Sequence, residues 1–142
     1  ILHVAKNQLE SLPESIGNLG QLTELVIGDN QLKSLPESIG RLDKLTSFSL
    51  SGNQLNGLPQ SIGDLVALKR LSIASNEIRR LPASLANLKK LYHFYADHNK
   101  LTHLPDNWCK RYLDNELGIS INDNPLTIKA FNSQCKSLER ID

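Results

Sequence analysis

The stretch LTELVIGDNQLKSLPESIGRLDKL, Leu22 to Leu45, decides the fold. Its skeleton is Leu22-x-x-Leu25-x-Ile27-x-x-Asn30-x-Leu32-x-x-Leu35-Pro36-x-x-Ile39-x-x-Leu42-x-x-Leu45, and the same residue types return every 23 positions. Asparagine recurs at Asn7, Asn30, Asn53, Asn76 and Asn99, and proline at Pro13, Pro36, Pro59, Pro82 and Pro105. A fixed period of this size means stacked supersecondary units sharing one continuous core. The alternating pair Leu25-x-Ile27 calls for a short strand with both side chains on one face. Strands from successive units would pair in parallel, about 4.8 Å apart. After Asn30 the chain must turn back. Leu35-Pro36 fits the first turn of a short helical segment on the outer side, because proline disfavours helix before it and suits a helix start. Ile39 and Leu42 then point inward. The class is an α/β repeat.

Working outward, a partial unit with Leu2, Val4, Asn7, Leu9, Leu12 and Pro13 precedes the template. The pairs Phe48/Leu50, Leu71/Ile73 and Phe94/Ala96 continue it. The next asparagine, Asn124, falls 25 residues after Asn99, which places two inserted residues within 108–116. Repeats of about six units therefore cover residues 1–126, the first truncated. Residues 127–142 form a terminal cap helix, with Leu126, Ile128, Phe131, Cys135, Leu138 and Ile141 at roughly helical spacing. No such cap protects Leu2, Val4, Leu9 and Leu12. The chain reads as a piece of something longer, with an uncapped N-terminal end open to self-association.

The repeated asparagine has a structural role. A short amide both donates and accepts, and it satisfies backbone groups that the turn buries. Asn7, Asn30, Asn53, Asn76, Asn99 and Asn124 are expected to form a ladder. Gly17, Gly40 and Gly63 recur in phase and are likewise structural. Trp108 takes the slot of Ile39, Ile62 and Leu85 and belongs to the core, as do Phe48 and Phe94; Ala96 beside Phe94 suits an exchange of large for small volume.

The bulk properties exclude several classes. The 142 residues are 39% apolar with net charge +1, so no global field points to nucleic acid or membrane. No apolar run is long enough to insert in a membrane. Charge is uneven: residues 66–111 hold nine Lys/Arg against three Asp/Glu, whereas 1–65 hold four against seven. Arg79-Arg80, Lys89-Lys90 and Lys110-Arg111 are expected as solvated surface, with an acidic partner on one flank as the alternative. They are not interleaved with aromatics as a nucleic-acid face requires. Cys109 and Cys135 lie about one unit apart; buried thiols are the leading expectation, and a disulfide tying the cap to the last repeat is the other. His93 and His98 are on the order of 16 Å apart along an extended strand, too far to converge on zinc. No nucleophile-and-base constellation, phosphate-cradling loop or paired carboxylate stands out. Neither catalysis, a cofactor nor a metal is implied.

If Leu25 and Ile27 face the core, their neighbours form the opposite surface of the sheet. The rows are Ile1, Glu24, Ser47, Arg70, His93, Gly118; then His3, Val26, Ser49, Ser72, Tyr95, Ser120; then Ala5, Gly28, Ser51, Ala74, Asp97, Asn122. Thr23, Thr46, Lys69 and Tyr92 lie along one edge, and Asp29, Gly52, Ser75 and His98 along the other. Most of this surface is small. Arg70, Tyr92, His93, Tyr95, Asp97 and His98 gather aromatics and charge, the mix enriched where partners dock. With Glu24 and Val26 they form the candidate protein-binding patch. Ordinary solvated strand residues, with tyrosine chosen for sheet propensity, are the alternative.

The pattern Leu-x-x-Leu-x-Leu-x-x-Asn-x-Leu-x-x-Leu-Pro resembles the signature of the leucine-rich-repeat family over residues 1 to about 126. The LPESIGNL and LPESIGRL segments are similar to repeats of bacterial secreted and effector proteins and of intracellular scaffold proteins that bind small GTPases. Asn124-Pro125-Leu126 resembles the start of a C-terminal cap, without the clustered cysteines of extracellular caps. The resemblance implies a right-handed solenoid, a horseshoe segment with a concave parallel sheet, convex helical segments and protein binding on the concave face. Two other functions follow from it: the substrate-recognition arm of a larger bacterial effector enzyme, such as a ubiquitin ligase, whose catalytic domain lies outside this chain; or a surface repeat that binds glycan. Among thirteen asparagines none stands in an Asn-x-Ser/Thr acceptor. That favours the cytosol, or secretion into a host cell, over a glycosylated extracellular domain.

Overall fold

The computed structural model describes residues 1–140; Ile141 of the expected cap face lies outside them. Six parallel strands stand in chain order, β1 (Leu2–His3), β2 (Glu24–Val26), β3 (Ser47–Ser49), β4 (Arg70–Ser72), β5 (His93–Tyr95) and β6 (Gly118–Ser120). The register never slips: Leu2, Leu25, Phe48, Leu71, Phe94 and Ile119 are successive partners. Burying one face forces this, because a one-residue slip would turn every core side chain outward. Even the two inserted residues before β6 are absorbed in the connection.

The outer side carries four 3-10 helices, Glu14–Asn18, Glu37–Arg41, Gln60–Asp64 and Ala83–Asn87. Ile39, Leu42 and Leu45 recur every third residue, the period at which 3-10 side chains eclipse, and all three are fully buried. The amides of Ile39, Leu42 and Leu45 donate to the carbonyls of Pro36, Ile39 and Leu42. Pro36 therefore caps the segment rather than starting it, in extended conformation at φ −69° and ψ 148°. Its carbonyl is the first acceptor, and a proline nitrogen has nothing to donate.

These segments approach one another closely through glycine and serine. A Cβ placed on Gly63 would sit 2.4 Å from the Ser84 carbonyl oxygen, whereas one on Gly20 would meet nothing within 4 Å. Gly63→Ala is expected to cost about 1–3 kcal/mol by overpacking, and Gly20→Ala less than about 0.5 kcal/mol. Equal urea midpoints for the two variants would refute the close-approach account.

The asparagines span repeats. Asn53 Nδ2 donates to the carbonyls of Leu50 and, one repeat back, Ile27, and its Oδ1 accepts from the Leu32 amide. Asn30, Asn76, Asn99 and Asn124 repeat the pattern. Asn7, in the first unit, donates only to Val4 and Ala5. The residue before each asparagine is left-handed: Lys6, Asp29, Gly52, Ser75, His98 and Asp123 have φ between 52° and 72°.

Beyond β5 the pattern changes. Trp108–Leu113 is a short α-helix, α1. The fully buried Trp108 ring meets Phe94 edge-on at 5.0 Å. The late leucines of the repeat are missing here, and Arg111 donates to the carbonyls of Leu88 and Leu91 instead. The terminal helix α2 (Ile128–Glu139) is capped by Thr127, whose hydroxyl accepts from the Ala130 amide at 3.1 Å. It buries Phe131 and Cys135, one turn apart, and Phe131 packs on Tyr112 at 5.3 Å. Ile128 and Leu138, expected on the buried face, are 39% and 36% exposed. An i, i+4 pair gives a narrow line of contact, and residues three either side of it rotate off that line.

The buried-thiol expectation is corrected. Cys109 on α1 and Cys135 on α2 form a disulfide, with Cα atoms 4.9 Å apart.

Candidate functional site

The strand period that buries Leu71 and Phe94 turns Arg70, His93 and Tyr95 to the open face of the sheet. Arg70 and His93 are cross-strand partners, as are Ser72 and Tyr95. Arg70 is exposed, and its Nε donates to the Tyr92 hydroxyl at 3.2 Å. Its guanidinium carbon lies 5.7 Å from the Tyr92 ring centre, within reach of a cation–π attraction. Tyr92 meets His93 edge-on at 4.7 Å, and His93 and Tyr95 are 5.7 Å apart. Arg70, Tyr92, His93 and Tyr95 are thus one contiguous group. Tyr92 and Tyr95 remain 38% and 40% exposed, large for side chains on a sheet whose neighbours are serine and alanine.

The other patch residues do not join that group. Asp97 turns toward β6: its Oδ1 accepts from the Ser120 hydroxyl and from the Asn122 amide, both at 2.7 Å. That carboxylate is a strand clamp as much as a surface charge. His98 occupies the left-handed position before Asn99, and its Nδ1 pairs with Asp123 at 3.1 Å. Glu24 is held by His3 Nε2 at 2.5 Å, and Glu24 and Val26 lie on β2, two strands from Arg70. At the adjoining loop edge, the Lys100 ammonium beside Glu77 lowers the Glu77 carboxyl pKa.

Several participants escaped the sequence pattern. Ser120 and Asn122 stand on the far side of the irregular 108–116 segment, so their pairing with Asp97 needs the register of β6. Ser51 and Ser72 share a hydroxyl hydrogen bond at 2.6 Å in the middle of the face. Lys69, Thr46 and Ser47 join Glu24, Arg70 and Tyr92 around a shallow depression of about 210 Å³. A larger cleft of about 610 Å³ lies on the convex side, between residues 80–86 and 103–107. Among the described residues, no group of three His, Cys, Asp or Glu side chains is placed to hold a metal, and no helix is long and apolar enough to cross a membrane.

Residues 1–55 match the family model described as leucine rich repeat. An internalin of Listeria monocytogenes superposes on 91% of this chain with TM-score 0.75 at 24% identity. The chain has the leucine-rich-repeat fold, and its first 55 residues carry that family's pattern. A leucine-rich-repeat protein of Leptospira interrogans, 27% identical, matches 98% of the chain with TM-score 0.61. In the Drosophila Toll–Spätzle complex, 22% identical, the match covers 83% with TM-score 0.71. The chain spans 37%, 41% and 18% of the internalin, Leptospira and Toll-complex chains respectively. No curated protein matches the sequence. This leucine-rich-repeat array thus has the sheet face, the convex 3-10 layer and the C-terminal helices of a known architecture.

Proposed function

We propose that this leucine-rich-repeat chain is a protein-interaction module that binds its partner on the sheet face of repeats 4 and 5. Residues 1–126 supply the binding array, and residues 127–142 close its C-terminal end. The observation that carries this is the contiguous Arg70, Tyr92, His93 and Tyr95 group, rising from a face whose other positions are mostly serine, alanine and glycine. Tyrosine and arginine are over-represented among the residues that dominate interface energies. Small neighbours let a partner reach both rings. One structural relative is itself recorded in complex with a protein, Spätzle, which fits the same kind of role.

The test compares three immobilised proteins in capture from cell lysate: wild type, Tyr95→Ala/Arg70→Glu, and the convex control Glu14→Lys. With hot spots of about 2 kcal/mol each, the double variant should retain less than about a tenth of the bound partner. The control should retain all of it. Circular dichroism must show the same fold for all three. Equal recovery of one partner by all three would overturn the assignment to this face.

A further inference from the structure

The sheet face is electrically polarised from edge to edge. Lys69 and Arg70 stand where β4 begins, and Lys89 and Lys90 sit on the turn leading into β5. None of these four pairs with a carboxylate among the described residues. On the opposite edge, Asp29, Asp97 and Asp123 lie at the strand ends, the last two already engaged by Ser120, Asn122 and His98. Charge complementarity would place the acidic groups of a partner at the start of β4.

At that start the surface is already shaped. The depression of about 210 Å³ has Thr46 and Ser47 as its small-residue side, Lys69, Arg70 and Tyr92 on one flank and Glu24 on the other. Tyr92 fixes Arg70 through Nε and through its ring, which leaves the two terminal guanidinium nitrogens free in the described structure. A pre-positioned fork of that kind suits a carboxylate, which takes two parallel N–H donors. Glu24 opposes it from β2, but its carboxylate is turned to His3.

We infer that this depression is the subsite for a single Asp or Glu side chain of the bound protein, held by Arg70 and Lys69 over Ser47. The inference rests on the sheet face being the binding face, and it deepens that proposal by naming the chemistry of the partner. Ser47 matters because it is small: a longer side chain there would fill the space between Glu24 and Arg70, its two cross-strand neighbours.

The test is an NMR titration of the full chain with two acetylated pentapeptides, one bearing two Asp and two Glu around a central Leu, the other their Asn and Gln counterparts. The acidic peptide is expected to shift the Arg70 Nε–H and the Thr46 and Ser47 amides saturably, and the neutral one not. Arg70→Gln should weaken the acidic peptide about tenfold, the scale of a lost charge-assisted pair. Glu24→Gln should tighten it about threefold by removing a nearby like charge. Arg70 is exposed, so the spectrum of the free variant should otherwise match wild type. Shifts that survive in Arg70→Gln, or that centre on Lys129 and Lys136 of α2, overturn the subsite. So does a tighter response to inorganic phosphate than to the peptide. Capture lost in Tyr95→Ala/Arg70→Glu, together with peptide binding untouched by Arg70→Gln, keeps the binding face and rejects the carboxylate.

Discussion

Asn53→Ala is expected to remove about 3–4 kcal/mol of stability, a large fraction of the total for a domain of this size. Asn53 is 8% exposed and makes one bond within its own repeat and two to the repeat before. The losses are unequal. The Ile27 carbonyl also accepts from Asn30, and the Leu50 carbonyl also accepts from Asn76, so each keeps one donor. The Leu32 amide keeps none and is left buried. One orphaned donor costs about 1–3 kcal/mol, and each halved carbonyl pairing about 0.5–1.5 kcal/mol. Asn53→Asp separates the contributions: its carboxylate still accepts from Leu32 but donates to nothing, and it buries a charge among carbonyls. It should be at least as damaging as alanine. Asn7→Ala is the internal control, because Asn7 is exposed and bonds only to its own unit. Urea unfolding at matched m-values measures all three. A cost at Asn53 no greater than at Asn7 would remove the inter-repeat ladder as a source of stability.

What was legible in the sequence followed from repetition. Five asparagines and five prolines at one spacing place the strands, their register and the outer segments, because any slip would misplace every copy together. The sequence predicts only a short helical segment there; its 3-10 character fits Ile39, Leu42 and Leu45, which keep a period of three where an α-helix would drift. The other features that escaped belong to the part that is not repeated. Arg111 replaces leucine packing with bonds to two carbonyls, and no periodic pattern predicts that exchange. Ile128 and Leu138 fit a helical stripe on paper, yet α2 buries Phe131 and Cys135 and leaves those two partly exposed. The tilt of α2 over α1 decides which side chains touch, and it depends on packing rather than on local spacing. The same holds at the candidate site. Arg70, Tyr92, His93 and Tyr95 could be placed by counting from the template, whereas the clamp of Asp97 by Ser120 and Asn122 lies across the inserted residues.

Reducing the Cys109–Cys135 disulfide is expected to lower the melting midpoint by about 10 °C. The bond closes a loop with a sequence separation of 26. In the chain-entropy account such a loop is worth about 3.5 kcal/mol. In a domain of this size each kcal/mol moves the midpoint by about 3 °C. Without it α2 is held by Phe131, buried in the core against Tyr112, and by Gln134 Nε2 donating to Asp106, whereas the Thr127 cap organises the helix without docking it. Repeats contact only their neighbours, so the damage should start at one end. Hydrogen exchange should rise first in α2 and α1, while the amides of β2 to β4 keep their protection. The Cys109→Ser/Cys135→Ser variant should reproduce both effects without reductant, which separates the bond itself from reductant chemistry. An unchanged midpoint together with unchanged exchange in α2 would mean that packing of Phe131 alone holds the cap. In that case the stability of the array would rest on the asparagine ladder and the core, and the C-terminal closure would contribute little.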